Sequence, residues 1–166
     1  MKFFDVLPQL AENELLKRGV MTDELLYCVK ADLDGEGGYV DVYITFTKDT
    51  LCILRGYEEY GKMKRGQKRK NLVSFTVSGY DEYPIDSIEE MYVDRYANSA
   101  RLMIKDKSGK EFPIARFSLG FADKFEKFSQ RVNCTAKNEP IDDRFLENAS
   151  FLRLKNLSLS YSLPQS

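Results

Sequence analysis

Histidine and tryptophan are both absent from this chain of 166 residues. Histidine is the side chain whose ordinary pKa lies between about 5 and 8, which suits it to proton transfer near neutral pH. Without it the sequence cannot contain a Ser-His-Asp triad, a Cys-His dyad or a histidine-ligated metal site. We therefore expect a protein that is not an enzyme, and we expect no cofactor and no bound metal.

Carboxylates can catalyse hydrolysis without histidine, and the sequence has two close acidic pairs. Asp32 is near Asp34, and Glu89 is followed directly by Glu90. Such a pair would need one carboxyl group as general acid and the other as base or nucleophile. Solvated strand ends explain both pairs more simply. A carboxylate-dependent hydrolase is therefore the minor alternative.

Cysteine is scarce, and long apolar runs are missing. Cys28, Cys52 and Cys134 are the three cysteines, and without a C-x-x-C pair they fit neither a disulfide framework nor a zinc ribbon. We interpret them as unreactive core thiols in a reducing compartment. No stretch approaches the roughly 18 apolar residues of a membrane helix, and the first residues do not form a signal-peptide core. The expected location is the cytoplasm, including the inner face of the membrane.

Neither sign of charge dominates, because 25 basic residues stand against 26 acidic ones and the net charge is −1. No global field therefore draws the molecule to nucleic acid or to anionic lipid. The charge is nevertheless unevenly distributed along the chain. One short segment between positions 61 and 70 holds six basic residues and no acidic one: Lys62, Lys64, Arg65, Lys68, Arg69 and Lys70.

This basic segment (residues 62–70) is the one part of the sequence with an evident recognition mechanism, and Tyr57 and Tyr60 precede it. Clustered cations near a bilayer attract anionic lipid by about 1 kcal/mol each, or they bind nucleic-acid phosphates through counterion release. The simplest interpretation is a solvated loop. As a binding surface it favours anionic lipid or an acidic patch on a protein, and nucleic acid least.

Hydrophobic residues make up 43% of the chain, which is enough apolar material for one core. Between residues 25 and 117 they recur mainly with the period of two that is typical of strands. The clearest case is Val40 to Thr47, and residues 72–77 repeat it with Val73, Phe75 and Val77 on one face. We count seven strands, and the short turns between several of them indicate antiparallel pairing.

Helical patterns flank the strands. Residues 8–18 predict a short leading helix, with Pro8 in its first turn and Gly19 after its end. Residues 119–134 predict an amphipathic capping helix, with Ser118 as its N-cap. Its apolar stripe begins with three aromatic rings, Phe121, Phe125 and Phe128. Because three rings exposed to water would contribute no hydrophobic stabilisation, we expect all three to close a hydrophobic opening of the sheet.

A meander of seven strands closed by one helix resembles the pleckstrin-homology-like (PH-like) fold of bacterial domains. The segment from Tyr39 to Leu54 is similar to the second and third strands of such domains, and Ile85 to Met91 and Phe117 to Asn133 continue the likeness. The resemblance covers about residues 8 to 136. It implies a mainly β fold, a barrel of seven antiparallel strands in two nearly orthogonal sheets with the helix at one end.

In particular the chain is similar to the cytoplasmic amino-terminal domain of certain bacterial ABC exporters. It departs from those exporters in having no membrane span, no ATP-binding signature and no cysteine cluster after Asn138. The resemblance implies a non-catalytic interaction or regulatory module with a protein partner, as an accessory or amino-terminal domain of a transporter. The alternative is peripheral binding to anionic lipid through residues 62–70. We assign residues 1–137 to the domain and residues 138–166 to a tail with an extra strand expected at residues 157–163.

Overall fold

The computed structural model describes residues 4–139, so the strand expected at residues 157–163 lies outside the described residues. Within these described residues, two helices and seven strands make up the fold, with short 3-10 turns between them. The helices are α1 (Gln9–Lys17) and α2 (Ala122–Ala136). The strands are β1 (Tyr27–Asp34), β2 (Tyr39–Phe46), β3 (Thr50–Tyr60), β4 (Leu72–Pro84), β5 (Ile88–Arg95), β6 (Ser99–Asp106) and β7 (Glu111–Ser118).

All seven strands belong to one antiparallel sheet, in the order β4-β3-β2-β1-β7-β6-β5. The predicted mainly β class, strand count, leading helix and carboxy-terminal helix are therefore confirmed. The hydrogen bonding does not close the sheet, because β4 and β5 are its two edges. It joins the strands into one open sheet, so the pairing shows neither the two separate sheets nor the closed barrel that the resemblance implies.

The sheet is strongly curved. The rings of Tyr83 in β4 and Phe112 in β7 lie 5.3 Å apart, although three strands separate β4 from β7 in the sheet. The strands β4 to β1 form one half of the sheet and β7 to β5 form the other. Where these halves meet, β1 pairs with β7 only at Leu33 and Asp34. Beyond Leu33, towards the start of β1, the edge of that strand is free of β7. This curvature lets both halves face one core.

The main core lies between the concave face of the sheet and α2. Phe125 and Phe128 of α2 are both fully buried. The ring of Phe125 stacks on Phe117 of β7 at a centroid distance of 3.7 Å, and Phe128 meets Phe46 of β2 edge to face at 5.4 Å. The helix therefore joins strands from both halves of the sheet. A second, smaller cluster lies on the other face, where α1 places Ala11 and Leu15 against β1 to β4.

The third predicted ring, Phe121, does not close the core. It is 53% exposed, because residues 119–121 form a 3-10 turn and the α-helical period begins only at Ala122. Its position on the apolar stripe is therefore lost, and Lys124 Nζ lies 5.2 Å from the centre of its ring instead. The predicted N-cap is also wrong, since Phe121 holds the N-cap position of α2, whereas Ser118 precedes the 3-10 turn and its side chain makes no capping hydrogen bond.

The cysteines are unpaired. Cys28 and Cys52 are buried and Cys134 is half-buried. Burial raises the pKa of the Cys28 thiol to about 12, so this side chain is almost entirely protonated at neutral pH. Among the described residues no helix is both long and apolar enough to cross a membrane.

The difference in burial between Phe128 and Phe121 gives a stability prediction. Phe128→Ala leaves a cavity between α2 and β2 and should lower the free energy of unfolding by about 3 to 5 kcal/mol. Phe121→Ala, the matched control on the same segment, should lower it by less than about 1 kcal/mol, because its ring is half in water. Urea denaturation followed by circular dichroism measures both. Equal losses would contradict this assignment of the core.

Candidate functional site

The β3–β4 hairpin projects beyond the rest of the sheet. The pairing of β2 with β3 ends at Asp41 and Gly56, whereas β3 continues to Tyr60 with only β4 beside it. Gly56 is required at this point because a Cβ atom there would lie 2.5 Å from Phe75 Cζ and 2.6 Å from the Thr76 carbonyl oxygen. The projecting part, residues 57–76, is called the tip below.

The basic segment forms the end of the tip. The loop is closed at its base by a hydrogen bond from the Gly61 amide to the Asn71 carbonyl, 2.9 Å long. Within it, the Gln67 amide donates to the Lys64 carbonyl at 3.0 Å, and the Gln67 side-chain oxygen accepts from the Lys64 amide at 3.0 Å. Gly66 has a φ of 90°, which glycine adopts without strain. The loop is therefore a defined turn.

The structure brings all six predicted cations together on this turn, and all six are exposed. Within residues 4–139 none of their side chains makes an ion pair or a hydrogen bond. Their charge is thus available to an external anion. The members of the cluster are Lys62, Lys64, Arg65, Lys68, Arg69 and Lys70.

Apolar side chains are exposed beside these cations. Tyr57, Tyr60, Met63 and Val73 are each more than half exposed. Val73 was expected on the same face as Phe75 and Val77, but an irregularity between Glu59 and Tyr60 shifts the register there, and no third strand covers this end of the hairpin. The exposure of Met63 and Val73 was missed, since the alternating pattern contains no information on where the sheet ends.

A buried carboxylate holds the base of the tip in place. The side chain of Glu58 is 2% exposed and receives Lys30 Nζ at 2.5 Å, and the hydroxyl groups of Tyr43 and Tyr60 both donate to it. Asp41 adds a second contact to Lys30 at 2.9 Å and accepts the Glu58 amide at 3.0 Å. These side chains come from β1, β2 and β3, so the network ties the projecting hairpin to the sheet.

The pKa values of this network reflect two opposing effects. Burial alone would raise the pKa of Glu58, but the hydrogen bonds from Lys30, Tyr43 and Tyr60 outweigh it and lower that pKa below its usual value. Burial would lower the pKa of Lys30, and the two carboxylates raise it instead. Burial and then the bond to Glu58 both raise the pKa of Tyr43. Glu58 and Lys30 are therefore both charged at neutral pH.

The acidic pairs of the hydrolase alternative lie elsewhere, and one member of each pair makes structural contacts. Asp34 Oδ1 accepts the amides of Glu36 at 3.0 Å and Gly38 at 2.8 Å, which stabilises the β1–β2 turn. Glu89 pairs with Lys105 at 3.3 Å across β5 and β6. Among the described residues no group of three His, Cys, Asp or Glu side chains is arranged to hold a metal ion.

A scan against protein-family models found no matching family, and a search of curated proteins found no match. The functional argument therefore depends on the geometry of the tip and of its base.

The network predicts a specific pH dependence. Because the folded pKa of Glu58 lies below the unfolded value of about 4.3, its stabilising contribution is present above that pH and is lost as the pH falls through the folded pKa. Glu58→Gln should lower the free energy of unfolding at pH 7 by about 1 to 3 kcal/mol. The variant should also lose less stability than the wild type between about pH 5 and 3.

Urea denaturation at a series of pH values measures both effects. Glu59→Gln is the matched control, since Glu59 is the next residue but is exposed, and its change should stay within about 0.5 kcal/mol. If Glu58→Gln loses as much stability as the wild type between about pH 5 and 3, this carboxylate does not hold the hairpin.

Proposed function

We propose that this chain is a non-catalytic interaction module that binds an anionic partner through the tip of the β3–β4 hairpin. The observation that carries the proposal is the group of six exposed cations without a charged partner among the described residues, on an ordered hairpin that projects from the sheet. Elsewhere in the described residues, cations such as Lys30, Arg95 and Lys124 are paired with carboxylates. An unpaired cluster of one sign adds nothing to folding, whereas it is suited to a ligand of the opposite sign.

The net charge of −1 does not oppose such binding. At physiological ionic strength, charges separated by more than about 8 Å are largely screened from each other. A partner at the end of the tip therefore experiences the local cations more than the acidic residues of the rest of the molecule. Binding should accordingly be strong at low salt and weak at high salt.

The architecture belongs to the same proposal. The strand order, the curvature of the sheet and the helix packed across its concave face support a PH-like domain whose sheet rolls towards a barrel. From the resemblance we further propose a protein partner at the inner face of the bacterial membrane, with the chain as an accessory or amino-terminal regulatory domain of an ABC transporter. Binding scaffolds of this kind present their contact residues on loops.

The exposed apolar side chains favour an anionic bilayer as a second candidate for the partner. Tyr57, Tyr60, Met63 and Val73 belong to the same tip as the cations, and tyrosine in particular suits the boundary between lipid and water. Each cation close to an anionic surface contributes about 1 kcal/mol, so six are enough for reversible binding.

Vesicle sedimentation tests the proposal. Wild-type protein should sediment with vesicles of phosphatidylcholine and phosphatidylglycerol, and the bound fraction should fall when the salt is raised from 50 to about 500 mM. The double variant Lys68→Glu, Lys70→Glu should reduce binding at least about tenfold, since it reverses two of the six charges. Lys107→Glu, Lys110→Glu is the matched control because it changes the net charge equally on another exposed hairpin, and it should leave binding unchanged.

Soluble polyglutamate in place of vesicles separates the two candidate partners. Tip-dependent binding to polyglutamate without binding to anionic vesicles would assign the tip to a protein partner. Equal loss in both double variants would show that only net charge matters. Absence of binding to both probes at low salt would overturn the proposal.

A further inference from the structure

Residues 4–7, called the strap below, run along the free part of the β1 edge before α1 begins. β7 pairs with β1 only at Leu33 and Asp34, so the carbonyl of Cys28 and the amide and carbonyl of Lys30 have no strand beside them. The strap and one side chain of α2 occupy this edge instead. The trough in which the strap lies is thus bounded by β1 on one side and by α2 on the other.

Asp5 makes the polar contacts of the strap. Its amide donates to the Cys28 carbonyl at 2.9 Å, and its carboxylate oxygen Oδ2 accepts the Lys30 amide at 2.7 Å. The same oxygen receives Lys124 Nζ at 2.6 Å, and Lys124 also reaches the Lys30 carbonyl at 3.4 Å. A carboxylate at this position therefore accepts a hydrogen bond from the free edge of β1 and also pairs with a half-buried ammonium group.

Phe4 makes the apolar contacts with Tyr27 and α2. Its ring lies 4.8 Å from Tyr27 and 6.5 Å from Phe128, between the start of β1 and the core-facing side of α2. The guanidinium carbon of Arg131 lies 5.0 Å from the same ring and 4.3 Å from that of Tyr27. The trough thus contains an aromatic subsite with a cationic wall directly beside the carboxylate subsite.

Two grooves lie beside the strap. One groove of about 410 Å³ lies between the strap, residues 22–28 and Thr45, and another of about 340 Å³ lies between β1, β7 and the start of α2. Asp5 lines both of them. The two grooves therefore leave open space beside Asp5.

We propose that this trough is a binding site for an extended peptide in which an aromatic residue is followed directly by a carboxylate, and that the strap is its intramolecular occupant. A partner segment of the same chemistry displaces the strap, pairs with the Cys28 carbonyl and the Lys30 amide, and places its carboxylate on Lys124. Adding a segment to a free strand edge is a general mode of peptide recognition. This inference does not depend on the function of the tip.

Exchange is feasible because the strap is held by few groups. Phe4 and Asp5 make the contacts described above, Leu7 packs partly buried against the second cluster, and Val6 is 69% exposed. The strap is nevertheless attached to its site, so it competes at an effective concentration in the millimolar range. A free peptide should therefore bind the wild-type chain weakly and should bind much more tightly when the strap is weakened.

A fluorescent peptide with the sequence of residues 2–7, Lys-Phe-Phe-Asp-Val-Leu, tests the proposal by fluorescence anisotropy on the full chain. The strap variant Phe4→Ala, Asp5→Asn should bind this peptide at least about tenfold more tightly than the wild type does. The same peptide with Asn in place of Asp should bind the strap variant at least about tenfold more weakly, because it lacks the charge that Lys124 requires.

Lys124→Gln added to the strap variant should abolish the preference for Asp over Asn, whereas Lys137→Gln, an exposed lysine just after the same helix, should preserve it. If Lys124→Gln does not fold, the comparison of the two peptides on the strap variant decides alone. Equal binding of the two peptides, or equal affinity for the wild type and the strap variant, would overturn the proposal.

Discussion

The stacking of Phe125 on Phe117 sets the position of α2 against the end of β7, and much of the remaining structure depends on it. Once the helix is placed there, Phe128 reaches Phe46 in the other half of the sheet. Burying both rings requires the seven-stranded sheet to bend around the helix, because a flat sheet would leave one of them in water. The same placement carries Lys124 and Arg131 to the edge of β1, where they hold the strap.

Two groups of charged side chains among the described residues have different consequences. Lys30, Asp41, Glu58 and Lys124 lie in contacts that connect separate elements, so their neutralisation affects the fold. The six cations of the tip are exposed and make no such contacts, so their neutralisation affects only what the protein can bind. The buried network at the base connects the two groups. It fixes the direction in which the hairpin projects and therefore where the cations are presented.

Much of the fold was predictable from the sequence, and the errors have physical causes. Alternation in β2 and the spacing of Phe125, Phe128 and Val132 correctly indicated strands and a buried helix face, because period and burial are directly coupled. The prediction that Phe121 is buried was wrong because Phe121 lies in a 3-10 turn, before the helical period begins at Ala122. The tip cations were identified by composition alone. The network of Lys30, Asp41 and Glu58 was missed, since only the strand register brings such distant positions together. The strap was missed because its residues have no periodic pattern.

The central claim is that one continuous sheet bends around α2, and the contact between Tyr83 and Phe112 tests it most directly. These residues are in contact only if β4 curves over towards β7. Proton NMR of the wild-type chain should show nuclear Overhauser effects between the two rings, whose centres are 5.3 Å apart, together with effects between Phe128 and Phe46. Effects between Phe128 and Phe46 without any between Tyr83 and Phe112 would contradict this account and would indicate a flatter sheet.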